Sequence, residues 1–133
     1  MKKRLLAAEE TRSRVRAAFE KAARIDPRIP SPDPARMKRA RATLVRSLPP
    51  WVGRFGLLAG PGFHCLWCEP IPSPRETFPS QMIFDVPPGR YMIEIFDSGT
   101  LRWASRESAE GSPLVAGLPF TGNPVLVWIR FRS

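Results

Sequence analysis

Residues 89–99, GRYMIEIFDSG, carry the pattern from which the fold is read. Tyr91, Ile93 and Ile95 alternate with Arg90, Met92 and Glu94, the period of two that a β-strand imposes on its side chains. Pro87-Pro88-Gly89 punctuates the run on one side and Asp97-Ser98-Gly99 supplies turn chemistry on the other. Further along, Val125, Val127, Ile129 and Phe131 alternate in the same way with Leu126, Trp128 and Arg130. Gly60-Pro61-Gly62 and Thr121-Gly122-Asn123 mark further turns. Strands are expected near 55–59, 63–68, 81–86, 90–97, 100–105, 114–120 and 124–131, each with one buried face. Short strands at this spacing favour a sandwich or an open barrel over an α/β arrangement.

Upstream the texture is different. Residues 3–25 are rich in Ala, Leu, Arg and Glu, and Leu5, Ala8, Val15, Phe19 and Ala22 share a face at helical spacing. Asp26-Pro27 ends that helix, because the residue before proline is driven out of helical backbone. Residues 25–34, IDPRIPSPDP, read as a stiff proline-rich linker. A second helix is expected to follow, with Asp33 as its N-cap, Pro34 in its first turn, Met37, Arg41, Leu44 and Leu48 on one side, and Pro49-Pro50 as its stop. The expected fold class is therefore α+β, a basic N-terminal arm of two helices over 1–50 followed by a small antiparallel β-sandwich over 51–133.

Charge divides the chain at the same place. Of 21 basic and 12 acidic residues, 1–54 holds 15 and 5, a balance of +10, and 55–133 holds 6 and 7, a balance of −1. A basic object joined to a neutral one points to an acidic partner, nucleic acid or protein. Arginine outnumbers lysine 17 to 4, and the guanidinium fork makes bidentate contacts to phosphate or carboxylate. Arg12, Arg14, Arg16, Arg36, Lys38, Arg39 and Arg46 are the expected partner-binding residues. A solvated or intramolecularly packed arm and a membrane-surface helix are the other readings of the same charges.

Catalytic chemistry has little to work with. His64, Cys65 and Cys68 are the only histidine and cysteines, whereas a structural zinc site takes four ligands. In a strand, Cys65 and Cys68 point to opposite faces, so neither a disulfide nor joint metal coordination is expected. No phosphate-binding glycine loop is present. The expectation is no enzyme, no metal and no cofactor. No apolar run reaches the 18 or so residues of a membrane span, and Glu9 and Glu10 cut short the apolar run that follows the basic start. A cytoplasmic location is expected.

The segment PPGRYMIEIFDSG (87–99), preceded by LLAGPGFHCLWCEP (57–70) and followed by LPFTGNPVLVWIRF (118–131), resembles the C-terminal β-sandwich that follows the catalytic barrel in some glycoside hydrolases. In that group a strand enters through Pro-Gly-x-Tyr and leaves through an aromatic and an Asp at a tight turn. The resemblance covers about 55–133, and ARMKRARATLVRSLPPW (35–51) is similar to the segment that joins barrel to sandwich. It implies a fold without the activity, since no barrel precedes it. Two functions follow as expectations: an interaction protein whose arm docks on an acidic macromolecule, or a carbohydrate-binding accessory module. For the second, Trp103 and Arg102 are the candidate ligand-binding residues, because aromatic faces stack on sugars.

Overall fold

The structure is a computed structural model and describes residues 3–25, 38–40, 44–60, 62–78 and 80–132. In chain order the elements are β1 (Arg4–Leu5), α1 (Ala8–Ile25), β2 (Lys38–Arg39), β3 (Val45–Ser47), β4 (Val52–Gly60) and β5 (Phe63–Pro70). They continue with β6 (Gln81–Phe84), β7 (Gly89–Asp97), β8 (Arg102–Gly111), β9 (Leu114–Gly117) and β10 (Val125–Phe131). A main sheet runs in the order β1-β4-β5-β10-β7-β8, with β2 also paired to β4. A smaller sheet runs β3-β6-β9.

All seven strands expected from residue 55 onward are present, with ends displaced by a few residues. The side between the two sheets holds the larger core, with Trp51, Leu57, Leu66, Phe84, Ile93, Ile95, Leu114 and Val127 among its members. The expectation of one buried face per strand fails in the main sheet. Its other face carries a second core of Leu58, Cys65, Trp67, Phe96, Leu126 and Trp128, closed by Leu6, Val15, Ala18, Phe19 and Ala22. Helix α1 thus makes a third layer, and Val125–Ile129 is buried at every position. A strand covered on both faces reads as a continuous apolar run, which is what VLVWI is.

The fold class expected from sequence is corrected in two respects. Among the described residues there is one α-helix, of 18 residues, and the structure is mostly β. Where the second helix was expected, Lys38–Arg39 and Val45–Ser47 are strands; Asp33, Pro34 and the proline-rich linker lie outside the described residues. The physical reason is pairing. Arg39 lies opposite Leu58 on the outer edge of β4, and Val45 lies opposite Phe84 on the edge of β6. Those edges supply the backbone with partners, and tertiary pairing overrides the modest helix propensity of an Ala-, Arg- and Leu-containing stretch. The second correction is that the helix is not an arm. The boundary expected at 50/51 falls between β3 and β4, and elements from both sides share the same cores.

Docking of α1 depends on close approach. Thr11 is fully buried, and its hydroxyl donates to the Ala7 carbonyl at 2.9 Å. It sits directly over Gly56 of β4, where a Cβ would lie 2.0 Å from the Thr11 oxygen. Phe19 then stacks on Phe96, with centroids 6.0 Å apart, and meets Trp128 edge-on at 5.7 Å. Gly56→Ala is expected to lower stability by about 1–3 kcal/mol through this overlap. Adding Thr11→Ala should recover part of the loss, a coupling readable by urea denaturation of the two single variants and the double. Strict additivity would show that the helix does not rest on Gly56.

Candidate functional site

Two carboxylates organise the charged surface. Glu69, at the end of β5, accepts from Arg14 Nε at 2.7 Å and from the Trp67 indole Nε1 at 3.1 Å, and pairs with Arg54 Nε at 2.7 Å. This cluster ties the helix to the sheet. Glu94, in the middle of β7, faces the helix side, where register places Arg106 of β8 and Trp128 of β10 beside it. Its carboxylate pairs with Arg106 Nε at 3.0 Å and also with Arg130. The Glu94 side chain is 5% exposed, so the two guanidiniums replace its water. Arg106 in turn lies over the Trp103 ring, 4.8 Å from its centroid, and Trp103 meets Phe96 edge-on.

The sequence-derived partner residues that the structure describes are distributed over α1, β2 and β3. Arg14 is engaged by Glu69, and Arg46 of β3 pairs with Asp85 on the small sheet. Arg12 is half-buried on α1, and Arg16 is exposed. Lys38 is exposed in β2, and Arg39 belongs to the same strand. Arg36 lies outside the described residues. Arg102 is exposed in β8, and Trp103 is half-buried on the opposite face of that strand, against Phe96 and Arg106. The distribution has a cause: once the helix and β2 are laid against β4, their basic residues share the body with β3 rather than projecting together.

Sequence reasoning singled out Arg102 but overlooked the other arginines of the β strands. Arg90, Arg106, Arg130 and Arg132 occupy the helix-side face of β7, β8 and the end of β10. A signal was present. Glu94 and Arg130 are single charges inside otherwise apolar strands, MIEIF and WIRF, and opposite charges isolated in this way answer one another across a sheet.

At that end of the sandwich two hollows flank Tyr91. One, of 520 Å³, is walled by Arg90, Ser108, Glu110 and Arg132. The other, of 330 Å³, is apolar and lined by Phe63, His64, Pro87, Pro88 and Phe131. The His64 Nδ1 is buried with no hydrogen-bond partner. Burial lowers the His64 pKa from its ordinary 6.5, so the ring is neutral at neutral pH. The unfolded chain then takes up a proton before the folded one as pH falls. Stability should therefore drop as pH passes below 6.5. His64→Gln should remove that part of the pH dependence in thermal melts; an unchanged profile would place the titration elsewhere.

Cys65 and Cys68 lie in different cores, on opposite faces of β5, as the strand spacing requires. Burial pushes the Cys65 thiol up to about 12 and raises Cys68 as well. Among the described residues no three His, Cys, Asp or Glu side chains gather as metal ligands. Among the described residues no helix is long and apolar enough to cross a membrane. A thiol reagent such as a maleimide should label neither cysteine in the native chain and both in denaturant, followed by mass spectrometry. Rapid labelling of the native chain would contradict this burial.

No family model, curated protein or solved structure matches this chain.

Proposed function

We propose that this chain is a non-catalytic interaction protein that docks on an acidic macromolecule through basic side chains carried on the folded body. The observation that supports the reading is the unequal use of charge. Glu69, Asp85 and Glu94 each have an arginine partner. Arg4, Arg16, Lys21, Arg24 and Lys38 are exposed and take no part in those pairs. With these cations at the surface and a formal net charge of +9, the chain favours association with anions.

No reaction is proposed. No observation favours the carbohydrate-binding alternative. Trp51, Trp67 and Trp128 are core side chains, and Trp103 is packed against Phe96 and Arg106.

The test is binding of the full chain to a fluorescent RNA oligonucleotide, to heparin and to polyglutamate over a range of salt. Affinity for at least one should fall with rising salt, by about 0.7–0.9 in log–log slope per nucleic-acid phosphate neutralised. Exchanging Arg4, Arg16, Lys21, Arg24 and Lys38 for Gln should flatten the slope while leaving the melting temperature nearly unchanged. Absence of salt-dependent binding to all three would overturn the reading.

A further inference from the structure

The ladder between β10 and β7 pairs Phe131 with Tyr91 and continues one step further, where the Arg132 N–H donates to the Arg90 carbonyl at 2.7 Å. Arg90 and Arg132 are therefore directly opposed across two strands. Like charges in that position repel. The repulsion is poorly relieved within the molecule. The Arg90 Nε lies 3.8 Å from Glu110, beyond hydrogen-bond reach, and the two side chains are 75% and 76% exposed. The next carboxylate on the face, Glu94, is already shared by Arg106 and Arg130. The hollow is walled by two opposed guanidiniums, the Ser108 hydroxyl and the Glu110 carboxylate; the two cations outnumber the one acid, so it suits an oxyanion, which a pair of forks can hold through several charge-assisted hydrogen bonds.

The second hollow says which oxyanion. Consecutive strand residues point to opposite faces, so Arg132 lines the charged hollow while Phe131, one step back, lines the apolar one. Phe131 is 52% exposed, a large aromatic ring left facing water. It rests edge-on against Tyr91, with centroids 5.4 Å apart, and Tyr91 lines both hollows. A charged hollow and an exposed aromatic on opposite faces at one end of the sheet match a single strand of nucleic acid curling over that end, an anionic phosphate on one side and a flat apolar base on the other. An acidic peptide would use the first hollow and leave the ring bare. A lipid surface would not need a concavity.

We infer that this end of the sandwich binds single-stranded nucleic acid passing over it, a phosphate between Arg90 and Arg132 and a base of the same strand on Phe131. Aromatic stacking beside a basic groove is the usual chemistry of such binding. The inference rests on the reading of the chain as a binder of acidic macromolecules, but it uses side chains of β7 and the β10 end, none of them among the five exposed basic residues of β1, α1 and β2.

The experiment uses the full chain, a short single-stranded RNA and polyglutamate, with three variants: Arg90→Gln with Arg132→Gln, Phe131→Ala, and the five-position Gln variant of the helix and β4 edge. The arginine pair should weaken RNA binding at least tenfold and lower the salt slope by about 0.7, one phosphate at the single-strand value. Phe131→Ala should weaken it by roughly 5- to 150-fold, the range for one stacked base, with the slope unchanged. All three side chains are exposed, and circular dichroism would verify the fold. RNA binding lost only in the five-position variant would overturn this site and leave the general reading standing. Polyglutamate binding as tightly as RNA, with Phe131→Ala silent, would also overturn it. No polyanion binding by the parent chain would overturn both.

Discussion

Phe19 lies flat on Phe96 and edge-on to Trp128, and through those rings the helix covers a sheet face that would otherwise present Leu58, Cys65, Trp67, Leu126 and Trp128 to water. Burying a large apolar side chain stabilises by about 1.5–3 kcal/mol, while a whole domain is held by roughly 5–15 kcal/mol. Five such side chains on one face amount to a large part of that margin. The second face therefore cannot be left open, and the N-terminal segment is a structural layer. Gly56 sets how near it comes, because Thr11 occupies the space a side chain there would need.

Layering also decides the electrostatics. A helix laid over a sheet brings Arg14 to Glu69, and a strand pair brings Arg106 and Arg130 to Glu94. Glu69 and Glu94 each collect two guanidiniums, so each of these clusters carries an excess positive charge to its rim. Removing one acid would leave two arginines facing each other in a partly dry setting, which is costly. These clusters fix geometry, and they do so while keeping the surface basic.

Much of the β half was legible because turn residues and alternation act locally: Pro87-Pro88-Gly89 and Asp97-Ser98-Gly99 bound β7 whatever it packs against. Asp97 shows why, since its own carboxylate accepts from the Gly99 and Thr100 amides at 2.8 and 3.2 Å to shape the turn. The opposed directions of Cys65 and Cys68 were legible for the same reason. What escaped was non-local. Residues 44–48, LVRSL, have no strand signal of their own and become β3 because the edge of β6 requires a partner. Burial of both faces of the main sheet was written in VLVWI but needed α1 to give it meaning. Most of the candidate site escaped too. Arg90 and Arg132 are 42 positions apart, and only the register of β10 on β7 opposes them.

The basic residues of α1, β1 and β2 and the arginine pair at the sandwich end act on different length scales. At physiological ionic strength fields between exposed charges fade over about 8 Å, so the dispersed group acts as a diffuse attraction that raises encounter rates without fixing an orientation. Arg90 and Arg132 are held by consecutive backbone pairing, and a ligand between them is oriented by two guanidinium planes with Phe131 one residue away. Orientation comes from what the ladder holds rigid. Binding of an anion there would also relieve a repulsion built into the free protein, so part of the affinity would come from removing a cost that the folded chain otherwise carries.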